Sequence, residues 1–187
     1  MNILFLDIET TGLNPEEHQI IQLSARFDSD GINIDNFNKK IKMQGPVDLG
    51  ALAVNGRSLF QQRLNAKFPD TEYDLATSLF EFMDWSVRIY KSYEGFIVSG
   101  HNIHFDITFL KAACKKLNLT GFDNLFGHRY LDTASIGLYL QEKGLLPLEK
   151  ISMEKLTEFF GINKGELHDS MFDVDASADM YYAMLEL

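Results

Sequence analysis

The stretch LFLDIETTGL, at residues 4–13, places two carboxylates directly after an apolar run. Side chains two positions apart in a β-strand point to the same face, so a strand that continued past Ile8 would hold Asp7 and Glu9 side by side. Two ionised carboxylates at that spacing repel each other unless one is protonated or a cation binds between them. The stretch therefore indicates either a cation site or a strand that has already ended, with both side chains solvated in a turn.

A second carboxylate follows the short apolar segment GFIVSG at 95–100. Asp106 lies in HNIHFDITFL, where the pattern predicts the first turn of a helix at the carboxyl end of a strand. A carboxylate in a first turn favours the helix dipole, and Asn102 or His104 could start the helix equally well. Alone, this segment has a purely structural explanation.

A third acidic segment, HDSMFDVD at 168–175, contains a histidine and an aspartate five residues apart. Residues at that spacing lie about 140° apart around a helix, so His168 and Asp173 can meet at one site only if His168 precedes the helix. Asp169 or Ser170 as the N-cap would produce that arrangement. A capped helix beside a surface histidine accounts for the same pattern.

In this order, DIETTG, HNIHFD and HDSMFD resemble the three motifs of the DEDDh family of 3′–5′ exonucleases. That family belongs to the ribonuclease H-like superfamily and includes the proofreading domain of bacterial DNA polymerase III. The resemblance covers nearly the whole chain, and a histidine rather than a tyrosine five residues before the last aspartate selects the h-type subgroup. The resemblance implies these catalytic residues: Asp7, Glu9, Asp106, His168 and Asp173.

The four carboxylates of this set are the implied metal ligands, and hard oxygen ligands of this kind suit Mg²⁺ or Mn²⁺. The resemblance implies two such ions per active site, which together can activate a water and stabilise the leaving oxygen of an in-line displacement at phosphorus. His168, with a reference pKa of about 6.5, would accept the proton of that water. The resemblance therefore implies hydrolysis of the 3′-terminal phosphodiester of single-stranded nucleic acid, with DNA favoured and nucleoside 5′-monophosphates released.

The resemblance also implies a pocket for the 3′-terminal nucleotide. Its substrate-binding residues would be Thr10, Thr11, Leu13, Leu52, Asn55 and Phe105. An aromatic ring beside the metal ligands can stack on a base. Packing of Phe105 in the core, and of the 52–55 segment on its own loop, remain open as structural alternatives.

Three alternative functions share these motifs. An oligoribonuclease-like enzyme or an RNA-trimming 3′–5′ exoribonuclease would use the same carboxylates. The first motif of the oligoribonuclease subgroup resembles DxEMTG, whereas this chain has DIETTG. A non-catalytic nucleic-acid-binding module on the same fold would bind without cleaving, because a fold does not determine a function. The expected partners are single-stranded 3′ ends, with a DNA polymerase as a candidate protein partner.

Composition bounds the class of protein. The 187 residues carry a formal net charge of −10, which argues against a protein that coats long nucleic acid through lysine and arginine. Cys114 is the single cysteine, and neither a signal peptide nor an apolar run of membrane-spanning length is recognisable. We expect one exonuclease domain over residues 1–187, located in the cytoplasm.

The elements that must position the motifs follow from the apolar spacing. Strands are predicted at 2–8, 20–27, 32–41, 95–100 and 129–133, the first three as an antiparallel meander. Helices are predicted at about 73–92, 107–119, 133–143, 152–160 and 170–186. Strands followed by alternating helices and strands predict an α/β fold, a mixed five-stranded sheet flanked by helices. The family resemblance implies that this fold is ribonuclease H-like.

Overall fold

The computed structural model describes residues 1–43, 46–48, 73–162 and 169–187 of the chain. Three of the predicted site residues, Leu52, Asn55 and His168, lie outside these ranges.

A five-stranded mixed sheet forms the centre of the described structure, in the order β3-β2-β1-β4-β5. The strands are β1 (Asn2–Thr10), β2 (Ile20–Ser29), β3 (Ile32–Lys40), β4 (Ile97–Gly100) and β5 (Tyr130–Asp132). Antiparallel pairing joins β1 to β2 and β2 to β3, whereas β1, β4 and β5 run parallel to one another. The predicted meander and the five-stranded mixed sheet are confirmed.

Helices cover both faces of this sheet. They are α1 (Leu75–Tyr93), α2 (His104–Lys116), α3 (Phe122–Phe126), α4 (Thr133–Glu142), α5 (Met153–Phe159) and α6 (Ser170–Leu185). Asp74 caps α1, Asp132 caps α4 and Ser152 caps α5, each by accepting a hydrogen bond from a backbone N–H of the first turn. Among the described helices, none combines the length and the apolar character that crossing a bilayer would require.

The alternation of side chains in β1 divides the core into two layers. Leu4 and Leu6 point to one face and belong to the larger apolar cluster, which includes residues of α1 and α2. Ile3 and Phe5 point to the other face and pack against Val174 and Tyr181 of α6. Asp7 and Glu9 continue the second series, so the strand directs both carboxylates toward the layer that contains α6.

Two boundaries differ from the sequence prediction in ways that affect the site. β1 extends to Thr10, two residues beyond the predicted end, and Glu9 is 5% exposed, which excludes a solvated turn at this position. α2 begins at His104, three residues before the apolar-spaced segment 107–119, because Asn102 adopts a left-handed conformation (φ 61°) and turns the chain directly into the helix. Asp106 is therefore in the first turn of α2, as predicted.

Apolar side chains are exposed at two places on the periphery of the fold. Leu185 is 60% exposed in the final turn of α6. In the edge strand β3, Phe37 is buried against the rings of Phe82 and Trp85, whereas Ile32 and Ile34 are exposed. Neither position contributes to the candidate site.

Gly100 ends β4 at the point where the chain turns into α2. A Cβ at this position would lie 2.7 Å from the backbone oxygen of Leu6 and 2.9 Å from Cδ1 of Ile103. Backbone atoms of a central strand cannot move aside as a side chain can, so only glycine allows β4 to approach β1 this closely.

We predict that Gly100→Ala lowers the free energy of unfolding by about 3 kcal/mol, because the added methyl overpacks the β1–β4 contact. The matched control is Gly121→Ala, where the backbone is left-handed (φ 90°, ψ 0°) but no atom lies within 4 Å of the new Cβ. Backbone strain alone should cost the control about 1 kcal/mol. Urea unfolding at equilibrium measures both values, and an equal loss in the two variants would contradict the steric explanation.

Candidate active site

Three carboxylates from distant parts of the sequence converge at the end of β1. Asp7 and Glu9 come from the strand and Asp173 from the first turn of α6, and each offers an oxygen within 4.8 Å of the others. Glu9 is buried, and the other two are half-buried. This group is the metal-ligand set that the first and third sequence motifs imply.

Asp106, the fourth acid of the set, is bonded to the same strand. Its Oδ1 accepts a hydrogen bond from the backbone N–H of Ile8 at 2.9 Å, and the carboxylate is 4% exposed. The last β1–β4 pair is Phe5 with Ser99, so the Ile8 N–H lies past the end of β4 and is available to a side chain. This hydrogen bond fixes the start of α2 against the backbone of Ile8, which lies between Asp7 and Glu9.

Burial and mutual repulsion raise the pKa values of these acids. The pKa of Asp7 is held well above its usual range, first by burial and then by the charges of Asp106 and Asp173. Burial, followed by the charge of Asp173, raises the pKa of Glu9 to about 8. Burial also raises the pKa of Asp106 to about 8, although the hydrogen bond from Ile8 opposes that shift. The site therefore favours protons or cations over four free negative charges.

A hard divalent cation fits this donor set. Carboxylate oxygens are the ligands that Mg²⁺ and Mn²⁺ prefer, and three of them lie within reach of one ion. A cation would also relieve the repulsion that raises the pKa values of the ligands. Asp7, Glu9 and Asp173 are consequently the residues best placed to hold a metal, with Asp106 beside them.

The predicted substrate-binding residues occupy different environments. Thr10 and Thr11 are buried, and their hydroxyls hold the loop: Thr10 Oγ1 donates to the carbonyl oxygen of Gly12 at 2.8 Å, and Thr11 Oγ1 accepts from the N–H of Gln19 at 3.0 Å. Leu13 is 74% exposed on the same loop.

Phe105 lies next to Asp106 in α2. It is half-buried against the larger apolar cluster, with its ring centroid 4.9 Å from that of Phe109. Contact with substrate therefore stays a prediction for all the described members of this set.

The sequence motifs did not assign Asp169 and Asp132 to the acidic site, although both act on it electrostatically. Asp169 caps α6 and adds to the negative field that raises the pKa of both Asp7 and Glu9. Asp132, the N-cap of α4, is among the charges that raise the pKa of Asp106. Both are capping aspartates at the carboxylate-rich edge of the sheet, and their positions relative to the site depend on tertiary structure.

Comparison with known protein sequences connects the whole chain to nucleases. The sequence model of a family described as "Exonuclease" matches residues 4–181. The chain is 27% identical over 182 residues to a PolC-type DNA polymerase III of Thermotoga petrophila, covering 97% of this chain and 12% of that protein. It is 28% identical over 193 residues to the DNA polymerase III subunit epsilon of Pasteurella multocida, covering 97% of this chain and 67% of that protein. The chain thus spans only a small part of the PolC-type relatives.

Comparison with solved structures identifies the fold as ribonuclease H-like. The nuclease domain of 3′hExo, a DEDDh family member bound to rAMP, superposes with a TM-score of 0.68 at 17% identity, covering 99% of this chain and 92% of that one. Exonuclease I of E. coli in complex with a dT13 oligonucleotide gives a TM-score of 0.69 at 19% identity, covering 98% of this chain and 40% of that one. At these identities the likeness concerns the fold.

We predict that Glu9→Gln stabilises the metal-free protein increasingly as the pH rises. The pKa of Glu9 is about 8 in the folded state and 4.5 ordinarily, so between these pH values the folded state keeps a proton that the unfolded state loses. The free energy of unfolding of the wild type therefore falls as the pH rises from 4.5 to about 8. The melting temperature of the variant should match that of wild type near pH 4.5 and exceed it by several degrees near pH 8. Each kcal/mol of unfolding free energy shifts the melting temperature of a domain of this size by about 2–4 °C.

Thermal unfolding in chelator measures this difference, with Glu142→Gln as the control because Glu142 is an exposed carboxylate on α4. Adding Mg²⁺ should raise the melting temperature of wild type more than that of Glu9→Gln. A difference between the two proteins that does not change with pH would contradict the prediction.

Proposed function

This chain belongs to the DEDDh family of 3′–5′ exonucleases, and we propose that it hydrolyses the 3′-terminal phosphodiester of single-stranded DNA and releases nucleoside 5′-monophosphates. The observation that supports the proposal is the convergence of Asp7, Glu9 and Asp173 within 4.8 Å, with Asp106 bonded to the Ile8 N–H between the first two. This arrangement gathers four acids into one partly buried site.

Two divalent cations, Mg²⁺ or Mn²⁺, are proposed as cofactors. Asp7, Glu9 and Asp173 would hold one ion, and Asp7 together with Asp106 would hold the second. Bound there, the ions supply Lewis-acid stabilisation of the negative charge that develops at the scissile phosphate.

The side chains of this chain supply the remaining functions. His168 is proposed to accept a proton on an imidazole nitrogen from the attacking water, since its ordinary pKa of about 6.5 suits proton transfer near neutral pH. The Ile8 N–H holds Asp106 in place, so that the carboxylate need not reorganise during the reaction. The exposed side chain of Leu13 could contact the terminal sugar or base from the loop that follows β1.

The preference for DNA is supported by the relatives, which are named as DNA polymerase III proteins of the PolC type and the epsilon subunit. By the same reasoning, 3′ ends made by a DNA polymerase are the proposed site of action, and such a polymerase is the proposed protein partner. An RNA substrate would require recognition of the 2′-hydroxyl by the terminal-nucleotide pocket.

We predict that Asp7→Asn abolishes shortening of a single strand from its 3′ end. The substitution removes one negative ligand at the centre of the cluster, and a loss of about 4 kcal/mol of transition-state stabilisation corresponds to about a thousandfold in rate. A time course on 5′-labelled single-stranded DNA and RNA, with Mg²⁺ or chelator, measures the effect.

The matched control is Asp175→Asn, which removes a carboxylate two residues along α6 from Asp173 and should retain activity, because Asp175 bonds to Arg26 at 3.2 Å and is not a member of the acidic cluster. Faster shortening of RNA than of DNA would move the assignment to an exoribonuclease. Binding of either strand without cleavage, by a folded wild type in Mg²⁺, would make the protein a non-catalytic module.

A further inference from the structure

Strand β2 presents a row of buried polar side chains to α6. Gln22 and Ser24 are both fully buried, and they stand directly opposite Glu9 and Asp7 in the antiparallel pairing. Opposite residues of neighbouring strands share a face, so these side chains lie in the same layer as the acidic cluster. Polar side chains with no exposure are costly unless they are bonded, which makes their partners informative.

Gln22 bonds the N-terminal cap of α6. Its Nε2 donates to Oδ1 of Asp169 at 3.1 Å and to Oδ1 of Asn38 at 3.3 Å. Its Oε1 has no hydrogen-bond partner among the described residues. A buried amide with an oxygen left over is a poor means of stabilising a fold, because a hydrophobic side chain of the same shape avoids that cost.

Asp169 connects Gln22 to Asp173 of the metal-ligand set through hydrogen bonds. The Oδ1 that accepts from Gln22 also accepts from the N–H of Met171 at 3.0 Å, and the carbonyl oxygen of Asp169 accepts from the N–H of Asp173 at 3.1 Å. The next helical residue is bonded to β2 as well, since the hydroxyls of Ser24 and Ser170 are 2.6 Å apart. Gln22 is thus connected to the backbone of Asp173 through a single residue.

We infer that Gln22 is a positioning residue for the exonuclease reaction: its bond to Asp169 sets the first turn of α6 so that Asp173 faces Asp7 and Glu9. The expected effect of Gln22 on catalysis rests on the proposed function. The expected effect on the affinity of the acidic cluster for a cation does not depend on that function. Outer partners of metal ligands commonly change metal affinity or activity 10- to 100-fold.

The test is Gln22→Met, which keeps the length of the side chain and removes both hydrogen-bond donors. We expect kcat on single-stranded DNA to fall by about 10-fold with the KM for the oligonucleotide unchanged, and the Kd for Mn²⁺ from calorimetric titration to rise by about 10-fold. The melting temperature in chelator should stay close to that of wild type. Asp175→Asn, which removes the charge from a contact between α6 and Arg26 of β2 farther along the helix, should leave both the Kd and kcat unchanged.

A second variant keeps the test decisive if Gln22→Met does not fold. Asp169→Ser retains a capping hydroxyl but is too short to accept from Gln22. Because it also removes a charge that acts on Asp7 and Glu9, its Kd is compared with that of Asp169→Asn, which loses the same charge but keeps an acceptor oxygen. Mn²⁺ should bind about 10-fold more weakly to Asp169→Ser than to Asp169→Asn. In the Asp169→Ser background Gln22→Met should add less than a twofold change, because two residues that act through one bond are not additive.

Several results would overturn the inference. A wild-type Kd and kcat in Gln22→Met would do so, as would equal Kd values in Asp169→Ser and Asp169→Asn. A loss of equal size in Asp175→Asn would also do so, because it would indicate general loosening of the β2–α6 contact. A wild type that binds Mn²⁺ but leaves DNA intact would refute the proposed function, while the Kd values of the variants would still decide the role of Gln22. A wild type with no Mn²⁺ affinity would refute both.

Discussion

Electrostatic repulsion among acids in a partly buried site is the constraint on which this structure depends. Asp7, Glu9, Asp106 and Asp173 are held close together where water cannot fully screen their charges, and the capping acids Asp169 and Asp132 strengthen the negative field. Each raised pKa is a measure of free energy that the fold must supply to keep the group assembled. The same repulsion would favour a bound cation, because a divalent ion cancels the negative charge that causes the repulsion.

The remainder of the fold supplies that free energy through apolar contacts on both faces of β1. Leu4 and Leu6 pack into the larger cluster, while Ile3 and Phe5 pack against α6. These residues are neighbours of the acids in sequence, so the strand that brings two carboxylates to the site also anchors it in the core. A central strand with parallel and antiparallel neighbours cannot shift its register without disturbing both, which fixes the height of Asp7 and Glu9 relative to α6.

Much of this arrangement could be predicted from the sequence because its signals are local. The spacing of Asp7 and Glu9, the strand before Asp106 and the cap before Asp173 each occupy a few consecutive residues, and their order matches a family pattern. The bond from Gln22 to Asp169 joins residues 147 positions apart, so no local pattern could reveal it. A partial signal does exist, since Gln22, Ser24 and Arg26 interrupt an otherwise apolar strand at every second position. Such a row indicates a polar partner across one face, but not which helix supplies it.

The acidity of the site also bears on how an acidic protein could hold a nucleic acid. A chain with a formal net charge of −10 and a negative site repels phosphates at long range, and lysines of the surface are partly neutralised by acids, as Lys40 is near Asp169 and Lys111 is by Asp123. If the proposed function holds, cations at the acidic cluster cancel the local negative charge and assist hydrolysis of the terminal phosphate. Metal affinity and chemistry then depend on the same ligands, so a substitution that misplaces Asp173 without removing its charge would change the Kd for the ion and kcat together. That dependence makes the docking of α6 on β2 a determinant of catalysis, although Gln22 itself touches neither metal nor substrate in this scheme.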